Sequence, residues 1–379
     1  MRFLNLMFLS IAIFSFGLKA QTNTTHSLTH NGLNREYKLY VPQNYSESTS
    51  VPLLLNLHGY TSDMTEQEVY GDFRAIADTA NFIIVHPNGT IDNSGNRFWN
   101  AFQFPGVDDV SFLTALIDKI SEDYNIDANR VYSTGMSNGG FMSYELACML
   151  SDKITAVASV TGAMTNTRIN TCSPSRKVPA LQVHGTNDLL VPIDGNIQYA
   201  SIVDVITFWV NQHEISSNPI TTDLPDINQN DNSTVTWSRY LDGSGRSAVE
   251  YFKIHNGGHT WPGSTVSLPN EVTNQDINAS VEIWRFFSQH QIGDETLETE
   301  EIKIPSNHIS LFPNPSGGII QIKSSDNITH IKVFDVLGKK VLDETPNSKD
   351  FIFEKKEKGV YIAHIISSGN QISKKFIIH

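Results

Sequence analysis

Residues 130–144 constrain this chain more than any other stretch: Arg-Val-Tyr-Ser-Thr-Gly-Met-Ser-Asn-Gly-Gly-Phe-Met-Ser-Tyr. Val131 and Tyr132 suit a buried strand, and residues 141–150 suit a helix. Between them Gly135, Ser137 and Gly139 form G-x-S-x-G. A turn that passes from strand to helix this sharply leaves no space for neighbouring Cβ atoms, so glycine flanks the serine on both sides. The spacing predicts a strained Ser137 with its hydroxyl exposed above a sheet. The N–H groups and positive dipole end of the following helix point at the same place. A Gly/Ser-rich loop closing a strand would read alike, but it would need no partners downstream.

Partners are present. A serine hydroxyl is a weak nucleophile at neutral pH and needs a base, with a carboxylate to orient that base. Residues 180–183 read as a strand, followed by a loop that ends in Asp188. A late strand at 249–254 leads into a loop bearing His259. The order Ser137, Asp188, His259 is the one expected when the nucleophile sits on a strand-turn-helix. Asp194 is a second carboxylate, farther from the strand end. His184 and His255 each close a strand and suit packing or loop bonding. Gly257 and Gly258 are expected to give the His259 loop room to swing inward. An oxyanion needs two donors. One is the N–H of Asn138; the other comes from Leu57-His-Gly-Tyr-Thr61, with Tyr60 first and Thr61, beside the substrate, second. The Tyr60 ring would stand at the cleft mouth. Phe98, Trp99, Phe102 and Phe104 cluster nearby; such clusters are usually core, but the Asn, Gly and Pro around them place Trp99 on the cleft wall.

Strand and helix patterns alternate through residues 21–291. Strands are expected at 36–41, 51–57, 82–85, 156–160, 180–183 and 249–254, and helices at 64–80, 110–124, 201–213 and 276–290. Val-Pro-Leu-Leu-Leu-Asn-Leu at 51–57 is apolar almost throughout, as befits a strand buried on both faces. This rhythm predicts an α/β fold with a mostly parallel, doubly wound sheet. Residues 216–233 read as a polar surface excursion. Residues 292–304 read as an acidic linker, and 305–379 as a small all-β sandwich of short apolar segments between turn residues such as 337–339 and 368–370.

The net charge is −13, without a basic stripe, which argues against nucleic acid and anionic membranes as partners. The tail departs from this, with ten Lys against seven Asp and Glu from residue 305 onward, or +3. Residues 1–20 carry Arg2, an apolar run and Ala20, the pattern of a signal peptide removed after Ala20. No later segment is apolar enough to span a membrane. The two cysteines, Cys148 and Cys172, are too few for a disulfide scaffold. In an exported protein one bridge between them is expected, against the alternative of two buried thiols. Nothing implies a metal or other cofactor.

Five motifs carry a family resemblance: Asn56-Leu-His-Gly59, Gly106-Val-Asp-Asp-Val110, Gly135-Met-Ser-Asn-Gly-Gly140, His184-Gly-Thr-Asn-Asp188 and Gly257-Gly-His-Thr-Trp-Pro-Gly263. Residues 29–290 resemble the secreted polyhydroxybutyrate depolymerase and feruloyl esterase group. The resemblance implies the α/β-hydrolase fold and a serine carboxylic ester hydrolase. It implies Ser137 as nucleophile, Asp188 and His259 as its partners, and Trp261 beside the cleft. Cys148 and Cys172 match a pair these proteins usually keep, while a second pair, around 211–213 and 240–242, is missing here. The leading substrate class is feruloyl or acetyl esters of plant-wall polysaccharide. The alternatives are polyesters such as polyhydroxybutyrate or aromatic polyesters, gripped by Tyr60 and Trp99, and, more remotely, a non-catalytic surface binding protein. The tail is similar to the type IX secretion sorting domain through Phe312-Pro-Asn-Pro315, Asp335-Val-Leu-Gly-Lys339 and Lys358-Gly-Val-Tyr361. That implies export to the surface or medium by the type IX machinery.

Overall fold

The central strands of the main sheet bury alternate residues against helices on opposite faces. Leu53, Leu55 and Leu57 enter one core, while Leu54 between them enters the other. The computed structural model describes residues 21–266, 268–293, 309–314, 316–335, 339–355, 357–367 and 370–378, without the side chains of 370–372. The signal-peptide segment 1–20, most of the acidic linker and the turn residues 337, 338, 368 and 369 lie outside the described residues. The chain divides into two compact units, Met1–Glu295 and Thr296–His379.

In the first unit the elements run β1 (Thr22–His30), β2 (Leu33–Val41), β3 (Val51–Leu57), α1 (Met64–Tyr70), α2 (Arg74–Ala80), β4 (Ile83–Pro87), β5 (Thr90–Ile91), β6 (Arg97–Phe98), α3 (Asp109–Asp123), β7 (Ile126–Met136), α4 (Asn138–Met149), β8 (Ala156–Val160), α5 (Asn166–Thr171), β9 (Ala180–Gly185), α6 (Ile202–Gln212), β10 (Ile220–Asp223), β11 (Thr234–Leu241), β12 (Ser247–His255) and α7 (Ala279–Phe287). The sheet order is β1-β2-β4-β3-β7-β8-β9-β12-β11-β10. The six strands from β4 to β12 pair in parallel. The two at each end pair antiparallel. This is the expected doubly wound α/β sheet, and its parallel centre delivers the C-terminal ends of β3, β7, β9 and β12 to one edge. In such sheets ligands bind along that edge. Phe112, Leu116, Trp209 and Val205 from α3 and α6 fill one core. Phe73, Ala77, Ile283 and Phe286 around α2 and α7 fill the other.

Several elements differ from expectation. The single helix expected over 64–80 is two, broken at Gly71, where a Cβ would lie 2.8 Å from Gln67 Nε2 and 3.0 Å from the Trp261 ring. The helix expected from 276 begins at Ala279, capped by the Asn278 side chain, which accepts the Val281 N–H. Residues 220–223 within the surface excursion form the edge strand β10.

In the second unit β13 (Ser310–Phe312), β14 (Ile319–Asp335), β15 (Lys340–Glu344), β16 (Ser348–Glu354), β17 (Gly359–Ser367) and β18 (Asn370–Ile378) pair antiparallel. The long β14 pairs with four of the others, with register shifts along its length. Its Ile320, Ile322, Ile331 and Val333 bury against Ala363, Ile365 and Phe376.

Candidate active site

Ser137 stands between β7 and α4 with φ 52° and ψ −116°, a conformation that costs a non-glycine residue on the order of 1–3 kcal/mol. The surroundings enforce it. The Ser137 N–H donates to the Val160 carbonyl at 2.8 Å, and its carbonyl accepts the Phe141 N–H at 3.0 Å. A Cβ on Gly135 would meet the Leu57 carbonyl oxygen at 2.6 Å, and one on Gly139 would overlap the same carbonyl group. The flanking glycines are therefore required by β3 running alongside.

Asp188 and His259 come together across β9 and β12. His259 Nδ1 lies 2.8 Å from Asp188 Oδ2, and both side chains are buried. Asp188 Oδ1 accepts the N–H groups of Leu190 at 3.0 Å and Val191 at 2.8 Å. The carboxylate is thus fixed in rotation, with Oδ2 placed to accept from Nδ1 of His259. Among the described residues no hydrogen bond joins Ser137 Oγ to His259; such contacts commonly form only when substrate is in place. His184 supports the acid from below. Its Nε2 donates to the Val191 carbonyl at 2.8 Å and lies 3.4 Å from Asp188 Oδ2, and its Nδ1 accepts from Gln182. Burial lowers its pKa. His255 bonds Thr236 at 2.8 Å, and Asp194 is exposed.

The loop bearing His259 is pinned, contrary to the freedom expected of Gly257 and Gly258. Asn187 N–H donates to the Gly257 carbonyl at 2.9 Å, and Gly258 N–H donates to the Val272 carbonyl at 2.9 Å. Asn256 N–H donates to Thr186 Oγ1 at 2.8 Å. A Cβ on Gly257 would meet Ile254 Cγ2 at 2.5 Å. These glycines permit close packing.

The Asn138 N–H opens α4 and has no carbonyl one turn back to bond. The Tyr60 N–H is left without an acceptor among the described residues. Thr61 is not a spare donor: its N–H is taken by the Arg97 carbonyl at 2.9 Å. The Tyr60 ring is 48% exposed, and its hydroxyl donates to Asp92 at 2.7 Å and accepts from Asn96 at 2.9 Å. His58 beneath it accepts the Gly89 N–H at Nε2 (2.9 Å) and donates from Nδ1 to the Gly59 carbonyl (2.7 Å). Burial lowers its pKa to about 4, which keeps it neutral.

Two tryptophans expected at the cleft are core residues. Trp99 is 0% exposed, because its indole N–H reaches the His58 carbonyl at 3.1 Å and its main chain pairs with the Asn138 side chain in both directions, at 2.6 and 2.9 Å. Trp261 is buried against Phe73 and Gly71, and its indole donates to Ser280 at 3.1 Å. Neither offers a surface to substrate. Phe104, by contrast, is 60% exposed, stacked on Phe102 in a loop that Asn100 closes by bonding Phe104 and Val107. Asp109 anchors that loop through Asn100 N–H and Arg35, each at 2.7 Å. Reading the sequence alone left Asn100, Asp109 and the Asn138 side chain without roles. Cys148 and Cys172 form a disulfide, as expected.

The sheet, its helices and this edge define an α/β-hydrolase. Residues 107–217 match the phospholipase/carboxylesterase family, and residues 310–379 match the secretion system C-terminal sorting domain. The chain is 31% identical over 194 residues to a probable feruloyl esterase C of Aspergillus terreus, covering 49% of this chain and 67% of that protein. It is 29% identical over 260 residues to a bifunctional acetylxylan esterase/xylanase of Neocallimastix patriciarum, covering 68% of this chain but only 34% of that longer protein. An acetyl xylan esterase structure from Aspergillus awamori shares the fold, with a TM-score of 0.51 at 14% identity over 70% of this chain and 99% of that one. The chain therefore belongs to the carboxylesterase family that these feruloyl esterases represent. Its sorting domain marks it for the type IX secretion machinery, to be released or held at the cell surface. Among the described residues no helix is long and apolar enough to cross a membrane.

Proposed function

We propose that the protein hydrolyses feruloyl or acetyl esters of plant-wall polysaccharide through an acyl-enzyme on Ser137. His259 Nε2 removes the hydroxyl proton as Oγ attacks the ester carbonyl, and returns it to the leaving alcohol. Asp188 holds the imidazole and stabilises its charged form. The N–H groups of Asn138 and Tyr60 receive the oxyanion, each worth on the order of 2.7–4 kcal/mol. Water, activated by the same histidine, then releases the acid. The observation that carries this reading is the 2.8 Å bond between His259 Nδ1 and Asp188, whose other oxygen is held by two main-chain N–H groups. The relatives' names support the substrate class.

A polyester substrate is the second reading. It is favoured by an apolar rim beside the acid loop, where Leu189 is 83% exposed, and weakened by the burial of Trp99. The test compares kcat/KM on methyl ferulate, an acetylated xylo-oligosaccharide and a hydroxybutyrate oligomer, with Ser137→Ala as control. Preference for either of the first two, lost in the control, supports the plant-wall reading. Preference for the oligomer selects the second, and activity surviving Ser137→Ala would sink both.

A further inference from the structure

Outside the residues already assigned, one carboxylate touches the histidine loop. Glu271 Oε2 accepts the main-chain N–H of His259 at 2.8 Å. The contact is built from both sides. Gly258 lacks a Cβ at the place the Glu271 carboxylate occupies, where such an atom would overlap Oε2. The next residue, Val272, accepts the Gly258 N–H at 2.9 Å and the Thr260 hydroxyl at 3.0 Å. Residues 271 and 272 thus strap positions 258, 259 and 260 in succession. The Asp188 bond fixes the far end of His259, its imidazole; the Glu271 bond fixes the near end, its main chain.

We infer that Glu271 is a positioning residue for the base. It accepts the His259 N–H so that Nε2 is presented toward Ser137 while Nδ1 stays on Asp188. This rests on the triad reading given above. Glu271 touches neither substrate nor reacting atoms, so its removal acts through the placement of His259. A displacement of about 1 Å in a reacting group can cost on the order of a hundredfold in rate.

The test uses the full chain with Glu271→Ala, Glu271→Gln, Gly258→Ala and the Gly258→Ala/Glu271→Ala double variant, assayed beside Ser137→Ala on methyl ferulate and 4-nitrophenyl acetate. Glu271→Ala should lower kcat ten- to a hundredfold on both esters, with KM within about twofold. Glu271→Gln, whose amide oxygen accepts the same N–H, should restore most of kcat. Gly258→Ala pushes the carboxylate aside without touching it chemically, and should lower kcat like Glu271→Ala. The double variant should fall no further than either single one, because both break one contact. Gly258→Ala also keeps the idea testable should Glu271→Ala not fold. The inference is overturned if Glu271→Ala keeps kcat within twofold, if Glu271→Gln falls as far as Glu271→Ala, or if the two losses multiply. Activity remaining in Ser137→Ala would instead overturn the triad reading beneath it.

Discussion

Replacing Asp188 by Asn tests the proposed chemistry with little change of shape, and the surrounding hydrogen bonds fix how the new amide must sit. Oδ1 accepts the N–H groups of Leu190 and Val191, so that position must remain an oxygen. The NH2 group is then forced into the place of Oδ2, facing His259 Nδ1 at 2.8 Å. A donor there demands that Nδ1 accept, which moves the ring proton to Nε2, the nitrogen that must be bare to take the serine proton. The same NH2 also meets the protonated Nε2 of His184, 3.4 Å from the present oxygen. A wrong-tautomer base of this kind costs a serine hydrolase about 10⁴ in kcat, or about 5 kcal/mol of barrier. Initial-rate kinetics on methyl ferulate at pH 7 should show that loss with KM nearly unchanged, and Asp194→Asn made in parallel should be close to the parent. Retention of more than about one hundredth of kcat in Asp188→Asn, or a large loss in Asp194→Asn, would refute the assignment of the orienting acid.

Other outcomes follow from the same structure. Asn138→Ala keeps the main-chain donor but unpairs two buried main-chain groups of Trp99; at 1–3 kcal/mol for each, the urea midpoint should fall clearly, more than expected for a surface alanine. Cys148→Ser/Cys172→Ser opens a loop of sequence separation 24 and should cost about 3 kcal/mol in the same assay. Burial lowers the pKa of His86 to about 4, below its value of about 6.5 in an unfolded chain. The unfolded state therefore takes up the proton first as pH falls. Stability from this ring is complete above pH 6.5 and is lost between pH 6.5 and 4, by up to about 3 kcal/mol. Among the described residues neither His86 ring nitrogen has a partner, so His86→Leu should be tolerated at pH 7 and should flatten the pH dependence of unfolding by about one proton. An unchanged slope would show that the ring does not stay neutral inside.

The parts of this site that could be read from the sequence are those where chemistry or sterics act over a few neighbouring residues. Gly135 and Gly139 signal the elbow because the constraint is a backbone clash within one turn. Asp188 and His259 are legible because the chain must leave a strand just before each. The parts that could not be read are set from far away. Gly71 breaks a helix because Trp261, distant in sequence, fills the space beside it. Trp99 looks like a cleft residue in its Asn-, Gly- and Pro-rich setting, and the family resemblance puts Trp261 beside the cleft, but their indole N–H groups find His58 and Ser280 inside. Strands β1 and β11 escaped notice because β1 is polar along nearly its whole length and β11 only half-buried. Glu271 had no signature, since its partner is a main-chain N–H.

The close approach of the elbow to β3 has a consequence for how such an enzyme can diversify. Gly135 and Gly139 abut main-chain atoms of Leu57, Gly139 or His58, and backbone cannot be trimmed to accommodate a larger neighbour. The exposed Phe104, Leu189, Leu190 and Ile197 are under no such restriction, and substitutions at exposed positions usually shift stability by within about 0.5 kcal/mol. Mutational tolerance is therefore divided sharply between the two sets. Directed evolution can draw on such exposed positions almost freely, while every lineage inherits the same glycines.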